Sequence, residues 1–156
     1  WVMIIEFGKG VLPVLIFPTL DIPGIGIDAL VGRDIVAYAV GFAAILGHVY
    51  PLWYDFKGGK GGATAAGVLC VVAPSIAAPI IVCWFAVVIV SGFVGLATMS
   101  AAVGAAAYLG MTTPGGSYRL FVLAALIAGL IVFTHRANIV RMWNGDESRM
   151  SLFRSG

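Results

Sequence analysis

Charged residues are scarce in this chain. Only 10% of its 156 residues are Asp, Glu, Lys or Arg, whereas a soluble globular domain carries about 25%. The few charges nearly cancel, to a formal net charge of +2. The composition therefore argues against a soluble globular domain, and the sequence predicts no nucleic-acid partner.

Cysteine and histidine are also few, with two of each. Cys70 and Cys83 both fall inside apolar runs, so each is interpreted as a small buried hydrophobic residue. The sequence contains no CxxC motif and no Cys/His grouping. We therefore expect no metal site and no cofactor.

Apolar sequence is abundant: 61% of the residues are hydrophobic and the mean hydropathy is +1.05. A helix needs about 20 apolar residues to cross a bilayer. Polar loops at 21–34, 51–62 and 112–117 help to separate the apolar runs, which cover residues 2–20, 35–47, 63–78, 80–94, 96–111 and 120–133. The pattern predicts an all-α, polytopic helical membrane protein with about six transmembrane helices. We expect one membrane-embedded domain over residues 1–156, ending in a short cytoplasmic tail at 142–156.

The distribution of basic residues predicts the orientation of these spans. With six spans, the loop at 51–62 and the segment after residue 133 lie on the same side of the membrane. That side carries most of the basic residues: Lys57, Lys60, Arg136, Arg141, Arg149 and Arg154. Cytoplasmic loops carry an excess of Lys and Arg, so we expect both segments to face the cytoplasm.

A glycine-rich basic loop separates the second and third apolar runs. Residues 57–62 hold two lysines and four glycines, and Ala63-Thr64 then opens a helix. Glycine lets backbone N–H groups converge on a ligand, and a helix N-terminus adds N–H groups and partial positive charge. We interpret this segment as a phosphate-binding loop that uses Gly58, Gly59, Gly61 and Lys60. The alternative is an interfacial turn with snorkelling lysines.

A second polar cluster closes the last apolar run. His135, Asn138 and Arg141 are spaced i, i+3, i+6, so they share one side of a helix that continues from the last span. Histidine is the side chain best suited to accept a proton near neutral pH. The alternative is a helix-end cluster whose cations favour the helix C-terminus and lipid headgroups. The residues alone leave both interpretations open.

Two smaller features accompany these clusters. Gly47, His48 and Pro51 precede the glycine-rich loop, and we expect them to brace it. Glu6 and Lys9 share a face of the first helix, where they can pair with each other. Ionisable groups in membrane spans are otherwise candidates for function.

Several of these segments together resemble one family. They are Gly47-His48-x-x-Pro51, Phe56-Lys57-Gly58-Gly59-Lys60-Gly61-x-Ala63-Thr64 and His135-Arg136-x-Asn138-Ile139-x-Arg141-x-x-x-Gly145-x-Glu147. In order and separation they resemble the second and third signature motifs of the bacterial acyl-phosphate–glycerol-3-phosphate acyltransferase family, PlsY. Glu6-x-x-Lys9-Gly10 is similar to a segment of that family that usually has Asp at the first position. The resemblance covers nearly the whole chain.

The chain departs from the family pattern at two points. Gly62 stands where the family usually has Val. Family members also carry an earlier span with a first motif of the Gly-Ser-Gly-Asn-x-Gly-Ala-Thr-Asn kind, which nothing here matches. The resemblance implies that this span and motif lie upstream of Trp1, and that residues 1–156 expressed alone are inactive.

The resemblance implies an enzyme of phospholipid synthesis in the bacterial inner membrane. It would transfer a fatty acyl group from acyl phosphate to the sn-1 hydroxyl of glycerol 3-phosphate, which gives lysophosphatidic acid and phosphate. His135, Asn138 and Lys60 would be catalytic. The phosphate-binding residues would be Lys57, Gly58, Gly59, Gly61, Thr64 and Arg141. No protein partner is implied.

Two other functions remain open from the residues. A transporter or channel for a small phosphorylated anion would use the same loop and the same basic face. Such a protein should show related halves or charged residues deep in its spans, and beyond Glu6 and Lys9 the sequence shows neither. A purely structural membrane subunit is the third possibility.

Overall fold

The protein is all-helical in the residues that its computed structural model describes, which are 1–20, 32–112 and 118–150. These residues form seven α-helices: α1 (Val2–Ile16), α2 (Arg33–Val49), α3 (Gly62–Val72), α4 (Ala77–Ser91), α5 (Val94–Thr112), α6 (Tyr118–Thr134) and α7 (Arg136–Asn144). Each of the six predicted apolar runs corresponds to one of the helices α1–α6. The predicted fold class is confirmed.

Most of these helices suit a bilayer by length and composition. Within the described residues four segments are long and apolar enough to cross a membrane: Val2–Thr19, Arg33–Tyr54, Pro74–Ser91 and Val94–Thr112. A fifth span results if α6 and α7, which meet at a bend of 50°, are counted together. Helix α3 is apolar but only 11 residues long. The protein is thus a multi-pass membrane protein in which α3 is the short member of the six predicted runs.

The predicted boundary between the third and fourth runs is wrong, and proline explains the difference. The prediction extended the third helix to residue 78, but α3 ends at Val72. Ala73 is not helical, with φ −146° and ψ 71°, because the residue before a proline, here Pro74, is sterically excluded from the α region. Helix α4 begins at Ala77 and keeps Pro79 within its first turn, where a proline is tolerated.

Glycine sets the next boundary, between α4 and α5. Gly92 adopts a left-handed conformation with φ 74°, and its N–H bonds the Val88 carbonyl oxygen at 2.7 Å. This is the usual glycine stop of a helix. Helix α4 therefore ends at Ser91 and α5 begins at Val94, so the boundary comes slightly before the one predicted between the runs 80–94 and 96–111. Most of the predicted loops at 21–34 and 112–117 lie outside the described residues.

The chain divides into two compact units, Trp1–Ser75 and Ile76–Gly156. In the first unit α1 packs against α2 and α3. A Cβ on Gly10 of α1 would overlap the Thr64 carbonyl oxygen, and one on Gly67 of α3 would overlap the Phe7 carbonyl oxygen. Glycine at both positions lets the two backbones approach closely, as is common between membrane helices.

The second unit is built around α5, which packs against α4, α6 and α7. Small and apolar side chains of α5 and α6 are buried together, among them Ala97, Ala101, Ala124 and Ile127. The Trp84 indole N–H of α4 donates to the Thr98 hydroxyl of α5 at 3.2 Å. The single domain predicted for residues 1–156 stays a prediction.

Candidate active site

The glycine loop, defined as residues 56–62, is attached by backbone hydrogen bonds to the C-terminal end of α2. The Gly58 N–H donates to the Val49 carbonyl oxygen at 3.1 Å, and the Gly59 N–H donates to the His48 carbonyl oxygen at 3.2 Å. Just before the loop, Asp55 adopts a positive φ, and Phe56 does the same. This left-handed pair turns the chain back towards α2.

Close contacts at Gly58 and Gly59 explain why these residues are glycine. A Cβ on Gly58 would overlap the His48 carbonyl oxygen and lie 2.6 Å from the Pro51 Cδ. A Cβ on Gly59 would overlap the His48 Nε2. The structure therefore places His48 and Pro51, two of the predicted bracing residues, directly against the glycine loop.

Gly47, the third predicted bracing residue, is placed differently. It lies within α2, and a Cβ there would meet no atom within 4 Å. Nothing in the described structure explains why this position is a glycine.

The glycine loop leads into the N-terminus of α3. Gly61 is the residue before the helix, with φ 81°, and its carbonyl oxygen accepts the Ala65 N–H at 2.8 Å. The first N–H groups of a helix lack intrahelical acceptors and carry partial positive charge. Lys57 and Lys60, both exposed, lie in the same loop. This combination suits the binding of an anion such as phosphate.

Thr64, a predicted phosphate ligand, is not at the surface of the loop. Its side chain is fully buried, and its Oγ1 makes no hydrogen bond within the described residues. Its carbonyl oxygen lies against Gly10 of α1. Thr64 therefore belongs to the packed α1–α3 contact beneath the glycine loop.

The first unit also contains a contact between two ionisable side chains that the sequence did not reveal. Glu6 of α1 lies 4.0 Å from His48, measured from Oε1 to Nε2. The Glu6 side chain is 29% exposed and the His48 side chain 9%. The interpretation that Glu6 pairs with Lys9 is not supported, because in the described part of the chain the ionisable partner of Glu6 is His48.

His135 lies at the bend between α6 and α7. The sequence predicted one continuous helix, but His135 precedes α7 as its N-terminal cap with φ −92° and ψ 7°. The Ile131 carbonyl oxygen receives the His135 backbone N–H at 3.1 Å, the Thr134 hydroxyl at 3.0 Å and the His135 Nδ1 at 2.8 Å. Side chains that compete for a helix carbonyl bend helices, which explains the break.

The same contact determines the tautomer of the His135 ring. The side chain is buried, and a carbonyl oxygen only accepts hydrogen bonds. Nδ1 must therefore carry the proton that is donated to Ile131. In the neutral ring the lone pair is then on Nε2, the nitrogen that can accept a proton.

Asn138 and Arg141 are held by a residue that the site prediction omitted, Glu147. The Asn138 Nδ2 donates to the Glu147 Oε1 and the Arg141 Nε donates to the Glu147 Oε2, both at 2.6 Å. The Glu147 side chain is 9% exposed, whereas Arg141 is 45% exposed. One carboxylate thus orients the buried amide and offsets the charge of Arg141.

The chain reversal at Gly145 brings Glu147 into this position. Gly145 ends α7 with φ 80°, and the Asp146 and Glu147 N–H groups bond the Arg141 carbonyl oxygen at 2.8 Å and 3.2 Å. Gly95 of α5 makes room on the other side, since a Cβ there would lie 2.9 Å from the Asn138 Nδ2. The sequence did carry a signal for Glu147, which closes the family motif that begins at His135 and follows a helix-ending glycine by two residues.

The first part of the predicted tail is also folded onto the second unit. The Met150 N–H donates to the Gly92 carbonyl oxygen at 2.8 Å, and the Arg149 guanidinium lies 5.1 Å from the centre of the Phe93 ring. Residues 151–156 lie outside the described part of the chain. In residues 1–20, 32–112 and 118–150, no three His, Cys, Asp or Glu side chains are grouped as a metal would require.

The two clusters belong to different units. The glycine loop, His48 and Glu6 lie in the first unit, whereas His135, Asn138 and Glu147 lie in the second. One supplies backbone N–H groups and lysines for an anion, and the other supplies a histidine and a fixed amide. Each cluster lies in a helical unit of a membrane protein, the first suited to an anion and the second to proton transfer.

Comparison with known proteins gives the family. The family model described as "Glycerol-3-phosphate acyltransferase" matches residues 1–145. The chain belongs to the glycerol-3-phosphate acyltransferase family. This membership argues against the transporter and structural-subunit alternatives.

Curated relatives carry the same name. The glycerol-3-phosphate acyltransferase of Aquifex aeolicus is 36% identical over 148 residues, which cover 95% of this chain and 71% of that protein. The one from Myxococcus xanthus is 39% identical over 151 residues, with 95% and 71% covered.

Two solved structures have the same fold. Both are of PlsY, an integral membrane glycerol 3-phosphate acyltransferase, in a glycerol 3-phosphate form and a lysophosphatidic acid form. The first superposes with a TM-score of 0.79 at 36% identity, over 98% of this chain and 73% of that one. The second has a TM-score of 0.79 at 35% identity, over 95% and 70%.

Proposed function

We propose that this protein transfers a fatty acyl group from acyl phosphate to the sn-1 hydroxyl of glycerol 3-phosphate. The products are lysophosphatidic acid and inorganic phosphate. One observation carries the proposal: the PlsY structures that match nearly the whole chain are of a glycerol 3-phosphate form and a lysophosphatidic acid form. These two compounds are an acyl acceptor and its acylated product.

The reaction needs positioning more than activation. The hydroxyl oxygen attacks the carbonyl carbon of acyl phosphate, the bond from that carbon to the phosphate oxygen breaks, and phosphate leaves with the electron pair. Acyl phosphate is a mixed anhydride with a good leaving group, so no covalent enzyme intermediate is required. Holding two reactants in the right geometry can lower a barrier by up to about 7–11 kcal/mol.

We assign the binding of substrate phosphate to the glycine loop. Gly61 and the start of α3 supply N–H donors, and Lys57 and Lys60 supply positive charge. The Gly58 and Gly59 N–H groups bond the end of α2 and so hold the loop in place. In the second unit we assign Arg141 as a further phosphate-binding group, because its guanidinium has N–H groups besides the Nε that bonds Glu147. Thr64 contributes by packing beneath the loop, since its hydroxyl is buried.

We assign the chemical step to the cluster at the α6–α7 bend. We propose two routes for the hydroxyl proton: transfer to the His135 Nε2, or transfer to a substrate phosphate oxygen while His135 orients that phosphate. The Asn138 amide, oriented by Glu147, is the group assigned to oppose negative charge on the carbonyl oxygen. Lys60 is the second group that we assign to oppose this negative charge.

We also propose that the protein lies in the bacterial inner membrane with the glycine loop and α7 on the cytoplasmic side. The excess of Lys and Arg in these segments supports that orientation. Cysteine labelling with an impermeant reagent tests it, since a cysteine at residue 57 should react only after the cytoplasmic face is exposed.

The decisive experiment is turnover by the full-length protein in lipid vesicles. Acyl phosphate and labelled glycerol 3-phosphate should give labelled lysophosphatidic acid, with one phosphate released for each product formed. Acyl-coenzyme A in place of acyl phosphate is the matched control and should give no product. Product formation from acyl-coenzyme A alone would overturn the proposed donor.

A further inference from the structure

The contacts of His48 with the glycine loop connect that loop to a charged residue inside a membrane span. The His48 carbonyl oxygen accepts the Gly59 N–H. The ring of the same residue lies against Gly59, where a Cβ would meet Nε2, Cε1 and Cδ2. Gly59 is thus bonded by the His48 carbonyl oxygen and contacted by the His48 ring.

The orientation of this ring depends on Glu6. The His48 backbone is fixed in the last turn of α2, but its imidazole can still rotate about the side-chain bonds. The Nε2 that supports Gly59 is also the atom that lies 4.0 Å from the Glu6 Oε1. This distance suits an electrostatic contact or a bridging water, and it is too long for a direct hydrogen bond.

Glu6 lies in a segment that is otherwise suited to a bilayer. The segment Val2–Thr19 contains one carboxylate, Glu6. A charged group within a span is costly, and such groups usually face the protein interior and serve function. Glu6 meets the first condition, because it is only 29% exposed and is directed at His48.

We propose that Glu6 is a positioning residue for glycerol 3-phosphate. Its carboxylate fixes the His48 ring against Gly59, and the ring in turn sets the position of the glycine loop and of the start of α3 that follows it, where the substrate phosphate is bound. The inference rests on the proposed function, because it assumes that the glycine loop binds a phosphate. Glu6 itself touches no substrate.

The test is the steady-state kinetics of the full-length protein in vesicles. Glu6→Gln keeps the size of the side chain and removes its charge. We expect the KM for glycerol 3-phosphate to rise about three- to tenfold, with kcat within about twofold of wild type. A residue that only stabilised the fold would lower the amount of active enzyme and leave KM unchanged.

A double-mutant cycle with His48→Gln shows whether Glu6 acts through the histidine. Once the ring is absent, Glu6→Gln should have little further effect on KM. Glu6→Asp keeps the carboxylate and should give a KM closer to wild type than Glu6→Gln does. If Glu6→Gln does not accumulate in the membrane, His48→Gln alone is measured: loss of the ring should raise the KM for glycerol 3-phosphate about three- to tenfold, and an unchanged KM would overturn the inference.

Failure of the inference and failure of the proposed function are distinct in this experiment. A wild-type protein that forms no lysophosphatidic acid from acyl phosphate would overturn the function. An active wild type with an unchanged KM in Glu6→Gln, or with Glu6→Gln and His48→Gln effects that add in full, would overturn the inference alone.

Discussion

The glycine loop and the cluster at the α6–α7 bend are built in opposite ways. The glycine loop is held by backbone hydrogen bonds, because the Gly58 and Gly59 N–H groups bond the end of α2. Its lysine side chains are exposed. At the bend, side chains are buried and bonded to one another, as in the contact between Asn138 and Glu147 at 2.6 Å.

The contrast separates binding from chemistry. The glycine loop, with its backbone N–H groups and exposed lysines, suits recognition of the shape and charge of a phosphate. Substitutions in this loop should therefore act mainly on KM. A buried histidine and a fixed amide suit charges that develop during the reaction, so changes there should act mainly on kcat. Each variant below tests this division, beginning with the largest expected effect.

His135→Ala should have the largest effect. It removes the proton acceptor in one route and the phosphate-orienting group in the other, so kcat should fall by about 10²-fold or more. Steady-state turnover in vesicles measures this. A kcat within twofold of wild type would contradict the assignment of chemistry to the bend.

The matched variant His135→Gln separates the two routes. If His135 is the base, glutamine cannot take the proton, so kcat should stay low and the acidic limb of the pH–rate profile should disappear. If His135 orients phosphate, glutamine can still hydrogen-bond, so much of the activity and the acidic limb should remain.

Glu147→Ala should have the next largest effect, and it should act on stability as well as on kcat. It removes the acceptor of two charge-assisted hydrogen bonds, each of which contributes about 1.5–3 kcal/mol; solvent at the half-exposed Arg141 reduces that share. We expect a lower thermal unfolding temperature in detergent and a lower kcat.

Glu147→Gln serves as the control for charge. It keeps an acceptor for the Asn138 amide and loses the ion pair with Arg141, so more of the kcat should survive than in the alanine variant. Equal losses in the two variants would show that the ion pair, and not the amide contact, is what matters.

The difference between the two regions also explains which of them the sequence could predict. The glycine loop is a local feature: glycine density, lysines and the start of a helix are all visible within residues 56–64. The two contacts that the sequence missed depend on the fold. The Glu6–His48 pair joins α1 to the end of α2, and the Glu147–Asn138 bond requires the chain reversal at Gly145.

The helices show the same limit. Apolar runs predicted α1–α6, because hydrophobicity over a span is a strong signal. Two helix boundaries, the end of α3 and the break between α6 and α7, depend on local contacts that a hydrophobicity pattern does not show. Pro74 ended α3 earlier than the apolar run did, and competition for the Ile131 carbonyl oxygen broke the predicted continuous helix at His135.

Lys60→Ala should weaken the use of phosphate substrates by about tenfold to a hundredfold, which corresponds to the loss of one hydrogen bond to a charged group. Thermal unfolding should hardly change, since an exposed loop charge contributes little to stability. Kinetics with each substrate varied in turn would show the loss of phosphate binding as a rise in KM, and a fall in kcat would measure the share of Lys60 in opposing charge on the carbonyl oxygen. Unchanged KM values for both substrates would mean that the glycine loop does not bind phosphate.

Gly59→Ala should have the smallest effect and test the backbone cradle most directly. The added Cβ would overlap the His48 ring, which can rotate away, so the loop should shift locally without unfolding the protein. We expect KM for glycerol 3-phosphate to rise by up to about tenfold, with kcat nearly unchanged. Gly8→Ala is the matched control, because a Cβ on Gly8 of α1 meets no atom within 4 Å, and its KM should equal that of wild type. A lower kcat with an unchanged KM in Gly59→Ala would break the division between binding at the loop and chemistry at the bend.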